Sequence, residues 1–76
     1  METTEVLKFI KGLLKKHGND FSLNCKYLTA NDKIKKRHGE FVALVDDREL
    51  VLLNRDKGNE KNRLEISRIL AIDKRS

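Results

Sequence analysis

Two apolar runs, too short for helices, dominate the second half of the chain: residues 41–45 read Phe, Val, Ala, Leu, Val, and residues 50–53 read Leu, Val, Leu, Leu. Between them stand Asp46, Asp47, Arg48 and Glu49, about the length of a tight turn. Short apolar runs flanking turn formers read as two strands joined in a hairpin. Both runs are apolar at every position, unlike a strand with one wet face. The hairpin is therefore expected to be covered on both sides, by the sheet interior on one and a helix on the other, or by a second subunit.

The rest of the second half reads the same way. Residues 55–62 form a polar loop centred on Gly58, after which Leu64 and Ile66 alternate with Arg63 and Glu65 as a further strand. Ser67, Arg68 and Ile69 are expected to make a one-turn bend before a last short strand of Leu70, Ala71 and Ile72, with residues 74–76 as a frayed tail. Upstream, Phe21, Leu23, Cys25 and Tyr27 alternate with Ser22, Asn24 and Lys26, the period-2 pattern of a strand with one buried face and Cys25 pointing inward. Residues 29–40 contain only Ala30 and Ile34 as apolar side chains, so this stretch is either a polar strand around Ile34 or an exposed loop leading to Gly39.

At the N-terminus the period changes. Val6, Phe9, Ile10, Leu13 and Leu14 share one face of an α-helix over about residues 4–17, with Leu7 at its margin. Thr3 or Thr4 can supply a capping oxygen, Glu5 suits the positive end of the helix dipole, and Lys15, Lys16 and His17 suit the negative end before Gly18 stops the helix. Lys8, Lys11 and Lys15 form a basic stripe on the opposite side, read as a solvated face. The expected fold is α+β: an N-terminal amphipathic helix packed on a small, strongly bent antiparallel sheet of four to five strands, a barrel over about residues 21–73. Residues 1–76 make a single domain near the lower size limit for building one core, so self-association would help it.

Composition narrows the chemistry. Seventeen Lys and Arg against twelve Asp and Glu give a net charge of +5. Residues 1–40 carry nine basic against five acidic side chains, residues 41–76 eight against seven, so the excess is N-terminal. Such a surplus favours anionic partners. The densest positive patch lies within residues 33–39, where Lys33, Lys35, Lys36, Arg37 and His38 crowd together. Cys25 is the only cysteine, so no disulfide forms within the chain, and no His and Cys cluster suggests zinc. A reducing cytoplasm fits, and Lys8 and Lys11 interrupt the N-terminal apolar stretch, which argues against a membrane span.

No nucleophile, base and acid stand at catalytic spacing, and no nucleotide or metal motif matches, so neither an enzyme nor a cofactor is expected. His17 reads as a helix-end cation and His38 as part of the basic segment.

The order helix, strand, strand, hairpin, polar loop, strand, short final strand is similar to that of Sm-like small β-barrels of the SH3-like kind, in which an N-terminal helix caps a bent five-stranded sheet. The segment from Leu64 to Ile72, read Leu, Glu, Ile, Ser, Arg, Ile, Leu, Ala, Ile, also resembles the closing strands of the Rho-binding antiterminator family, bacterial relatives of that fold that bind a transcription termination factor. The Tyr, Lys, His run that the bacterial RNA-binding Sm-like protein carries in its fourth strand has no counterpart here, where Arg63, Leu64, Glu65 and Ile66 stand instead. The Rho-binding family is acidic where it meets its partner, and this chain is basic.

The functional expectation is a small cytoplasmic binding module of bacterial type that takes RNA or single-stranded DNA, or acts in a transcription-regulating complex on nucleic acid. Lys33, Lys35, Lys36 and Arg37 would grip phosphates, with Lys26, Arg63 and Arg68 as neighbours on the same rim. All four aromatic residues, Phe9, Phe21, Tyr27 and Phe41, look inward by pattern, so contact would lean on the backbone rather than on a stacking platform. The alternative is a protein-interaction module, Rho-antiterminator-like or self-associating, that meets a protein partner or a second copy through the apolar hairpin bounded by Phe41 and Leu53.

Overall fold

A change of period divides the chain into one helix and one sheet. In the computed structural model, which describes residues 1–75, the helix α1 spans Thr3–His17 and buries Val6 and Ile10 completely. Its capping position is Glu2, in an extended conformation with no side-chain hydrogen bond to the helix end. Thr3 and Thr4 already lie inside the first turn, so neither supplies the expected capping oxygen. At the other end Gly18 adopts φ 61°, a left-handed value that costs glycine little, and its N–H donates to the Leu14 carbonyl at 2.9 Å.

Five strands follow: β1 (Ser22–Leu28), β2 (Ile34–Val45), β3 (Glu49–Asn54), β4 (Glu60–Glu65) and β5 (Ile69–Arg75). They form one antiparallel sheet in the order β4-β3-β2-β1-β5. The fold is α+β. Single turns of 3-10 helix, Arg55–Lys57 and Ile66–Arg68, link β3 to β4 and β4 to β5, the second at the expected bend.

One open choice is decided, and two boundaries depart from the sequence reading. The polar stretch before Gly39 is strand from Ile34 onward, so β2 is one continuous strand of 12 residues, and the basic segment is not a loop. β4 begins at Glu60 rather than Arg63, because Arg55–Lys57 and a left-handed Gly58 close the connection early. Lys74 and Arg75 are not frayed: pairing with Leu23 and Ser22 draws them into β5, while Ser76 lies outside the described residues.

Two tight connections set the registers. The β2–β3 turn closes with the Arg48 N–H on the Val45 carbonyl at 2.9 Å, and Asp46 and Asp47 both take left-handed conformations, tolerated by short polar side chains. The β1–β2 turn is held by Thr29: its N–H donates to the Lys33 carbonyl at 2.8 Å, and its hydroxyl accepts from the Lys33 N–H at 3.1 Å.

The core draws side chains from the helix, all five strands and the Ile66–Arg68 turn. Val6 and Ile10 of α1 join Leu23 and Cys25 of β1, Phe41 of β2, Leu50 and Leu52 of β3, Leu64 of β4, Ile66, and Ile69 and Ile72 of β5. Phe21 and Phe41 stack with ring centroids 4.9 Å apart. Each fully buried aliphatic side chain contributes about 1.5–3 kcal/mol relative to exposure. The expectation of double coverage holds for β3, where Leu50, Val51 and Leu52 are all buried. Within the single chain β2 is left uncovered on one side, with Val42 36% exposed, because α1 meets chiefly the Ile66–Arg68 turn and β5. The helix covers the end of the sheet that those elements form.

Candidate nucleic-acid interface

The basic segment belongs to a β-ladder, and the ladder decides which charges meet. Residues directly opposite in an antiparallel pair share a face. Lys36 stands opposite Lys26, Lys35 opposite Tyr27, and Arg37 opposite Cys25. The run of consecutive cations is thereby split. Lys26 and Lys36 share the outer face, while Lys35 and Arg37 share the other face with Tyr27 and Cys25.

Lys26, Lys35 and Lys36 are exposed and Arg37 is half-buried. The Arg37 Nε donates to the Tyr27 hydroxyl at 3.2 Å, which fixes the guanidinium beside an aromatic ring. Lys33 lies exposed in the turn itself. Among the described residues, none of Lys26, Lys33, Lys35, Lys36 and Arg37 is engaged in a salt bridge. Like charges directly opposite one another destabilise a ladder, so the Lys26 and Lys36 pair carries a small cost that a bound anion would relieve.

Arg68 reaches this hairpin from the turn before β5. Its Nη1 donates to the Thr29 carbonyl at 3.2 Å and its Nε to Glu65 at 3.1 Å, so it ties the hairpin tip to the closing elements. Arg63 is not brought to the same place by pairing. It lies on β4, at the opposite edge of the sheet order from β5, across from Val51 and 3.5 Å from Glu49. Five of the seven sequence-predicted cations therefore occupy β1, β2 or their turn, a sixth touches that turn, and Arg63 stands apart.

Several contributors escaped the sequence reading. β5 pairs with β1 so that Asp73 faces Asn24, and Asn24 faces His38 on its other side. The outward alternation of Ser22, Asn24 and Lys26 was legible, but its partner Asp73 lies just past the last apolar residues, where no pattern marks it. The His38 ring lies with Nε2 3.6 Å from Asp56, and this buried nitrogen makes no hydrogen bond. Glu40 and Arg55 pair nearby.

Cys25 lies beneath this surface. Burial pushes its thiol up to about 12, with the neighbouring Asp73 carboxylate adding to the effect. It is a packed hydrophobe rather than a nucleophile. Among the described residues, no three or more His, Cys, Asp and Glu side chains group to hold a metal ion, and no helix is long and apolar enough to cross a membrane.

Comparison with protein-family models, with curated proteins and with solved structures gave no match to this chain.

Proposed function

We propose that the chain is a cytoplasmic module that binds single-stranded nucleic acid, RNA or DNA, through the β1–β2 hairpin. The observation that carries this reading is the set of exposed, unpaired cations on two adjacent strands, Lys26, Lys35 and Lys36 with Lys33 at the turn, beside Arg37. Among the described residues, Lys11, Arg55, Arg63 and Arg68 pair with Asp47, Glu40, Glu49 and Glu65, and other cations such as Lys8, Lys15 and Lys57 are also unpaired; the hairpin is distinguished by crowding five unpaired cations onto two adjacent strands and their turn.

The frame proposed for this module is a small bent barrel of the Sm-like, SH3-like kind. In its favour are the N-terminal helix, the strand order and the register shifts in the β1–β5 and β2–β3 pairs, which bend strands. Arg63 and Arg68 enter as secondary contacts, since each already serves a carboxylate.

Reversing charge at Lys33, Lys35, Lys36 and Arg37 together tests the reading. These side chains lie on or before an exposed strand, so circular dichroism and thermal melting should show a folded protein. Binding to a labelled single strand should be lost at physiological salt, and undiminished affinity would reject the proposal. The second reading, partner or self-association through residues 41–53, draws on Val42, the one apolar side chain of that hairpin that is exposed.

A further inference from the structure

The outer face of β5, β1 and β2 carries an ordered array rather than a uniform basic patch. Across the three strands one row reads Ala71, Lys26, Lys36, and the next reads Asp73, Asn24, His38. Ala71 and Asn24 are short, so a cavity of about 410 Å³ opens between the longer side chains, lined on this face by Asn24, Lys26, Lys36, His38, Ala71 and Asp73, with Cys25 and Arg37, which alternate with them along the strands, also at its wall. That volume is in the range of small-molecule sites, roughly 300–1,000 Å³. Among the described residues, the side chains of Asn24, Lys26, Lys36 and Asp73 make no hydrogen bond or salt bridge within the chain.

A bare phosphate matches only part of this lining. Lys26 and Lys36 attract it, but Asp73 beside them repels it. The array instead matches a nucleotide, with phosphate over the lysine row and the base edge over the row of Asp73 and Asn24. An ionised carboxylate only accepts hydrogen bonds, so it selects a base that presents adjacent donors. Guanine does this with N1–H and the 2-amino group, and its O6 accepts from the Asn24 amide. Adenine, cytosine and uracil each set a ring nitrogen acceptor or a carbonyl beside their single donor group, against the carboxylate.

We propose that this cavity recognises one guanine of a bound single strand, Asp73 accepting from its Watson–Crick edge and Asn24 donating to O6. The inference rests on the nucleic-acid reading above and adds a base preference at a named site.

The test uses fluorescein-labelled UUUGUUU, UUUAUUU and UUUIUUU, the inosine strand lacking only the 2-amino group, titrated by anisotropy with the full chain and with Asp73→Asn. The guanine strand should bind at least roughly tenfold tighter than the adenine strand, with inosine between them. Asp73→Asn should abolish that preference without weakening the adenine strand, whose affinity rises as a negative charge is removed. Equal affinity for all three strands, or a preference that survives Asp73→Asn, overturns the guanine site and leaves the nucleic-acid reading intact. No binding of any strand overturns both. Competition with GMP separates the sources of the base: displacement only at far higher concentration than the strand assigns the site to a strand, and displacement at equal concentration assigns the same base-edge recognition to the free nucleotide.

Discussion

At Gly39 a single missing methyl group sets the path of β2. A Cβ at that position would stand 2.7 Å from the Leu53 carbonyl oxygen and 3.2 Å from the Leu52 Cβ, inside the distance that backbone atoms tolerate. Gly39→Ala should destabilise the fold by about 1–3 kcal/mol, read as a lower urea midpoint at unchanged slope. Gly12, in the exposed middle of α1 with open space around it, should respond in the opposite sense, gaining up to about 1 kcal/mol as Gly12→Ala. Cys25 gives a second prediction at this scale. The thiol has a folded value near 12 against an ordinary 9.0, so the folded state keeps a proton that the unfolded chain gives up. Its contribution to stability is complete below pH 9 and falls as pH rises from 9 towards 12. A thiol reagent at pH 8 should accordingly label Cys25 slowly in the native protein and rapidly in denaturant; fast native labelling would contradict the buried placement.

Among the elements, α1 is held by its buried face rather than by its ends. Glu2 occupies the capping position without capping, so Glu2→Asp, which brings a shorter carboxylate to the first-turn N–H groups, should raise stability by about 1 kcal/mol in thermal or urea unfolding. The helix and the β2–β3 hairpin were legible because each announces itself locally, by the 3.6 period of Val6, Phe9, Ile10, Leu13 and Leu14 and by apolar runs flanking Asp46 and Asp47. The β1–β2 hairpin was only half legible. Residues 34–38, with Ile34 as their one apolar side chain, carry no hydrophobic period of their own, and they are strand because β1 offers seven consecutive partners to pair with, a fact that lives in the partner's sequence. The end of β5 was illegible for the same reason: Lys74 and Arg75 look like a tail until Leu23 and Ser22 pair with them. Composition identified the cations, whereas register decided that Lys26 joins Lys36 and that Arg37 joins Tyr27.

For the molecule as a whole, a small basic chain has arranged its charge unevenly. Lys11, Arg55, Arg63 and Arg68 stand against carboxylates, and the β1–β2 hairpin crowds Lys26, Lys33, Lys35, Lys36 and Arg37 together with no ion pair among the described residues. The hydrophobic demand of a 76-residue chain is met by one core drawing on the helix and all five strands, which leaves the outer face of β5, β1 and β2 free for polar work. The proposal is that the β1–β2 hairpin binds the phosphate backbone of a single strand. It is tested most directly by anisotropy of a labelled single-stranded RNA titrated with the full chain across a salt series. Binding should be saturable, with log affinity falling linearly with log salt by about 0.7 for every phosphate neutralised, a slope of roughly −2 to −3.5 as three to five hairpin cations engage. Absence of binding at low salt, or an affinity indifferent to salt, would contradict it.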